Sequence, residues 1–124
     1  MDEFASSNLK ETLQRIDTVI SEKRSAIETG KKLEALMATQ NFIDVILEGF
    51  IETEAKKLFD VMVDPTGASP YSNEEIQLML AGISTFKRYL ANVKLEAENA
   101  PLDIQIEEDY RTQVTSEAAM SEDI

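Results

Sequence analysis

The sequence predicts an all-α protein: a long N-terminal helix packed as an antiparallel hairpin with helix 2, a third helix closing the core, and a disordered acidic C-terminal tail. Three observations predict it. Apolar residues recur at spacings of three and four along most of the chain. Only four Gly and three Pro interrupt the 124 residues. Good capping residues stand just ahead of the periodic runs. The resulting organisation is a helical domain over 1–100, with helices at about 8–38, 42–63 and 73–99, and an acidic flexible tail over 101–124.

Ser7 or Asn8 opens helix 1, with Glu11 three residues after Asn8 as in a capping box. Leu9, Leu13, Ile16, Ile20 and Ile27 then step by four and three, with Lys23 filling one slot. That is a heptad-like seam flanked by Val19 and Ala26. Gly30 costs roughly 1 kcal/mol relative to Ala inside a helix. The run Lys31 to Ala38 is made of strong helix formers, so the helix is expected to continue through it. A narrow stripe on a helix of about 45 Å calls for another helix as partner. The simplest such partner is a second copy, giving a homo-oligomer through residues 9–27.

Thr39-Gln40-Asn41 breaks the pattern, with Asn41 as the expected cap of helix 2. Phe42 to Val63 carries a wide apolar face, and its polar side reads Asp44, Glu48, Glu52, Lys56, Asp60 and Asp64 at steps of four. Asp64-Pro65-Thr66-Gly67-Ala68-Ser69-Pro70-Tyr71 is a loop. Ser72-Asn73-Glu74-Glu75 is a capping box for helix 3, whose inner stripe runs Ile76, Met79, Leu80, Ile83, Phe86, Leu90, Val93 and Ala97. Pro101 is expected to stop it. Leu102-Asp103-Ile104-Gln105-Ile106 alternates apolar and polar, which suits an extended segment laid on a partner. The Glu-, Asp-, Ser- and Thr-rich remainder reads as disordered.

The chain has no Cys, His or Trp, and its 12 Lys and Arg against 24 Asp and Glu give a net charge of −12. Missing Cys and His remove thiol nucleophiles, the imidazole base, disulfides, and thiolate or imidazole metal sites. So acidic a chain is a poor ligand for nucleic-acid backbones. Residues 103–124 hold seven acids against Arg111 alone, so half of the net charge sits in the tail. The acidic start Met1 to Ser7 lacks a signal-peptide pattern, and no apolar run reaches membrane-spanning length. The expected location is therefore the cytoplasm in which the protein is made.

No residue set earns a catalytic, cofactor or metal assignment. The stripe Asp44, Glu48, Glu52 lies opposite the apolar face and leads to Lys56, which suits a solvated face with a Glu52–Lys56 pair. Carboxylate metal sites in bundles use inward Glu-x-x-His pairs, which this chain cannot make. Asp103 to Asp109 lacks calcium-loop spacing. The basic dipeptides Lys23-Arg24, Lys31-Lys32, Lys56-Lys57 and Lys87-Arg88 are best taken as scattered solvated charge. Phe4, Tyr71, Tyr110 and Ile124 fall outside the apolar stripes and are the candidate partner contacts there. In the tail, Leu102, Ile104, Ile106 and Tyr110 are the expected docking residues.

Two stretches carry a resemblance: Asn41-Phe42-Ile43-Asp44-Val45-Ile46-Leu47-Glu48-Gly49-Phe50-Ile51-Glu52-Thr53-Glu54-Ala55-Lys56-Lys57-Leu58, and Ala81-Gly82-Ile83-Ser84-Thr85-Phe86-Lys87-Arg88-Tyr89-Leu90 with Asn92-Val93. Together they resemble small all-helical proteins encoded among the virion and DNA-packaging genes of tailed bacteriophages. The resemblance covers about residues 8–100 and is one of pattern. It implies a head-morphogenesis or virion-associated role, in the host cytoplasm or the virion, and transfers no catalytic residue.

The expectation is thus a non-enzymatic assembly protein that forms a homo-oligomer and docks on a larger protein, such as a portal or capsid component or a host protein. It needs no cofactor, and contacts neither nucleic acid nor membrane directly. The alternative is an acidic inhibitor or adaptor that occupies the basic groove of a host nucleic-acid enzyme, steered by charge.

Overall fold

The computed structural model describes residues 3–64, 66, 67 and 69–122, with side chains from Ser7 to Met120. Three helices account for almost all of them. α1 is Glu3–Met37, and it runs through Gly30 as its helix-forming neighbours require. α2 covers 40–62 in three stretches: one turn Gln40–Phe42, a wide π-helical run Ile43–Glu54, and a regular α-helical end Ala55–Met62. α3 is Asn73–Glu122.

Local chemistry accounts for the helix ends. Thr39, not Asn41, caps α2. Its backbone is extended, its Oγ1 accepts from the Phe42 N–H at 3.3 Å, and the same hydroxyl donates to the Leu36 carbonyl at 2.7 Å. One Thr thus closes α1 and opens α2, a double role that Asn41, two residues later, is too far along to play. At α3 the expected capping box forms in both directions. The Glu75 N–H donates to Ser72 Oγ at 3.2 Å, and the Ser72 N–H donates to Glu75 Oε2 at 3.3 Å.

The π-helical run is the unexpected local feature. Its bonds reach five residues back instead of four, a geometry that is rare and short-lived in most helices. Gly49 explains part of it. A Cβ at this position would lie 2.9 Å from the Asp44 carbonyl oxygen, five residues back, closer than carbon and oxygen tolerate. Only the missing side chain lets the wide turn close there.

The chain divides into two compact units, Met1–Lys31 with Leu95–Ile124, and Lys32–Lys94. In the first, α1 lies antiparallel to the end of α3: Arg15 faces Glu107, Asp17 faces Arg111 and Lys23 faces Asp103. Ile16, Ile20 and Ala100 are buried there among the described residues. In the second, α2 and the start of α3 fold back on each other about the 63–72 loop. Leu58, Ile76 and Ile83 form the core there, with Ala55, Met62 and Leu80 against it. Farther from the loop, Phe50 meets Phe86 edge-on at 5.8 Å.

Two expectations are corrected. The helical partner of residues 9–27 is the end of α3 and not α2. And residues 101–122 continue α3 as helix, with Pro101 inside it, where a flexible arm was expected. An interior Pro costs about 3 kcal/mol through its missing N–H and ring clash. Burial of Ala100 beside it and of Ile16 and Ile20 within the same unit offsets that cost. The alternation at 102–106 that suggested an extended segment is overridden in the same way.

Candidate interaction surfaces

The expected oligomer seam is divided by the structure. Ile16 and Ile20 are 0% and 3% exposed, committed to the packing of the chain's own first unit. Leu9, Leu13 and Ile27 remain half-buried. Ile16 and Ile20 are therefore not available to a second copy unless that unit opens.

Charge explains what holds the α1–α3 face in register. The acidic end of α3 meets the basic side of α1: Lys23–Asp103 at 3.3 Å, Arg15–Glu107 at 3.7 Å, Arg24–Glu108 at 3.9 Å, and Arg111 with Asp17. The Arg15 guanidinium also stands 5.8 Å from the centre of the Tyr110 ring, within cation–π range. Each exposed pair contributes at most about 1 kcal/mol, so their value is mainly in selecting the register. Lys23-Arg24 is thus not idle surface charge. The signal in the sequence was the complement itself, a basic dipeptide on one helix and an acidic segment that carries Arg111 as its single cation. Of the Glu107 carboxylate, Oε1 faces Arg15 while Oε2 is buried without a hydrogen-bond partner.

Of the expected docking residues, Leu102, Ile106 and Tyr110 are 65%, 56% and 40% exposed, and their spacing of four puts them on one outer stripe of α3. Ile104 sits off that stripe and is half-buried. Leu95, seven residues before Leu102, extends the stripe and is also exposed. Tyr71 is exposed in the 63–72 loop, while the Phe4 side chain and Ile124 lie outside the described residues.

A second surface lies in the other unit and was not expected. Val45, Ile46, Gly49, Phe50 and Glu54 line a shallow open depression on α2. Val45 with Gly49 and Ile46 with Phe50 stand four apart, so these residues share one side of the helix within the π-helical run. The expected Glu52–Lys56 ion pair is not among those the described residues make, while Gln40 Nε2 donates to Asp44 Oδ1 at 2.7 Å.

In the loop, Asp64 Oδ1 accepts from the Thr66 N–H at 3.0 Å and from Thr66 Oγ1 at 2.8 Å. Those two bonds hold its carboxyl below the ordinary aspartate value. Gly67 follows at φ 65°, a left-handed conformation that Gly adopts without strain.

No helix among the described residues is long and apolar enough to cross a membrane. Compared with known protein families, curated proteins and solved structures, the chain matches none.

Proposed function

We propose that this protein is a non-enzymatic structural or assembly protein, a phage virion or head-morphogenesis and packaging accessory. It assembles with copies of itself and docks on a larger protein in the host cytoplasm or the virion. One observation carries this reading: the chain keeps far more apolar surface in water than its own folding can hide. Among the described residues, only Ile16, Ile20, Leu58, Ile76, Ile83 and Ala100 are buried apolar residues, against fifteen large apolar side chains left exposed. Exposed apolar side chains in that number favour association. On α3, Leu102, Ile106 and Tyr110 share one outer stripe, a setting that suits a partner with an apolar groove. Stoichiometric recovery of the protein with assembled particles, lost on replacing Leu102 and Ile106 by Ser, tests the reading. Absence from particles in infected cells overturns it.

The alternative draws on the same charge. The unit of Met1–Lys31 and Leu95–Ile124 holds fifteen acids against six bases, a field that would steer it to a basic nucleic-acid-binding groove. A steep loss of binding to such an enzyme as salt rises would mark an inhibitor or adaptor.

A further inference from the structure

The docking reading, on which this inference rests, does not name the chemistry that the partner brings to α3. Within the unit of Met1–Lys31 and Leu95–Ile124, the end of α3 has two faces. The inner one packs on α1. It sets buried Ala100 and half-buried Ile104 beside the carboxylates of Asp103, Glu107 and Glu108. From α1, Ile16 and Ile20 meet it, bordered by Arg15, Lys23 and Arg24. The inner face thus shows what this helix accepts: another helix whose apolar stripe is edged with bases.

The outer face repeats α3's half of that arrangement. Leu95, Leu102, Ile106 and Tyr110 are exposed on it, at steps of seven, four and four. Glu98 stands three residues after Leu95 and four before Leu102, and Asp109 three after Ile106, so both border the stripe. Both are exposed, as are Glu96 and Glu117. None of these four carboxylates is in an ion pair among the described residues. Asp109 and Glu117 accept from the neutral amides of Gln105 and Gln113, at 2.9 Å and 3.2 Å. Arg111 is the single cation from 95 to 124, and it is turned to Asp17 on α1.

These facts select the occupant. Acids of one sign beside an apolar stripe favour a partner of opposite sign and oppose a like one. The α3 of a second copy brings the same acids and no free cation, so it is opposed here. Steps of four and seven form a ridge, and the surface that fits a ridge is the groove along another helix. From Leu95 to Tyr110 the face runs about 22 Å, roughly four turns. We infer that the outer face of α3, centred on Leu102 and Ile106, binds a helix of the partner protein that edges its own apolar stripe with Lys and Arg.

The test uses the full chain and labelled synthetic peptides of about 20 residues. The first carries Leu at helical spacing edged with Lys and Arg. The second scrambles that composition, and the third replaces the bases with Glu. Fluorescence anisotropy reads their affinity for the wild type, for Leu102→Ser with Ile106→Ser, and for Glu98→Gln with Asp109→Asn. All four positions are exposed, so the substitutions spare the fold, which circular dichroism checks. The wild type should bind the basic amphipathic peptide about tenfold tighter than either control. Removing Leu102 and Ile106 should weaken that binding about tenfold, and neutralising Glu98 and Asp109 should weaken it about threefold and flatten its salt dependence. Equal binding of a control peptide, or unchanged binding by the Leu102→Ser, Ile106→Ser variant, would trace the attraction to diffuse charge or to the inner acids and overturn the proposal. Recovery with particles that this variant abolishes, while Glu98→Gln with Asp109→Asn leaves both it and peptide binding intact, overturns the basic partner and spares the docking reading. Absence from particles together with no preference among the peptides overturns both.

Discussion

Arg111, the single cation among residues 103–124, closes on Asp17 of α1, 94 positions away. The pair ties the last turns of α3 to the first half of α1. Reversing it with Arg111→Glu sets two acids face to face and should destabilise that unit by about 1 kcal/mol. The double variant Asp17→Arg with Arg111→Glu should recover most of the loss in urea unfolding. Additive effects of the two changes would show that the ends do not meet.

Ile16 and Ile20 separate a monomer core from a dimer seam. Ile16→Ala should cost about 2–5 kcal/mol by leaving a cavity in a fully buried site. Leu78→Ala, at a side chain 74% exposed, should stay within about 0.5 kcal/mol. Polar residues at Leu13, Ile16 and Ile20 together should melt helix rather than yield a folded monomer, which circular dichroism and light scattering distinguish.

Pro101 reads out the state of the chain's last quarter. Inside a helix, Pro101→Ala restores an N–H donor and removes a clash, for a gain of about 1–3 kcal/mol. Amide protons of residues 102–120 should also exchange more slowly. An unchanged midpoint with fast exchange there would instead describe a loose arm.

Gly49 tests the wide turn by the sign of one substitution. In a regular α-helix, Gly→Ala stabilises by about 0.5–1 kcal/mol. Here the new Cβ meets the Asp44 carbonyl, so Gly49→Ala should destabilise by about 1–3 kcal/mol. A rise in the unfolding midpoint would mean that the turn is not held.

Asp64 supplies a pH-dependent increment. Its folded pKa lies below the ordinary 3.8 because Thr66 donates twice to the carboxylate. The stabilisation is therefore complete above 3.8 and is lost as pH falls through the lowered value. The wild type should exceed Asp64→Ala by a constant margin at neutral and mildly acid pH, and the margin should vanish in stronger acid. A margin that persists there would assign the effect to loop packing instead.

The sequence by itself determined what is local. The Ser72–Glu75 box, the loop after α2 and the helix through Gly30 all follow from residues within a turn or two of one another. Only the tertiary structure decided what depends on distant partners. Pro101 opposes a helix locally, yet the packing of residues 95–122 on α1 keeps one, because burial across a unit outweighs a single lost bond. Lys23 and Arg24 look like surface charge until Asp103 and Glu108 stand opposite them. The wide run Ile43–Glu54 leaves no mark in the apolar spacing, which reads there as ordinary helix. A seam on α1 states that a helix must cover it, and says nothing of whose helix. Here the end of the same chain does so, since its acids match α1's bases, and the apolar surface left for others lies elsewhere.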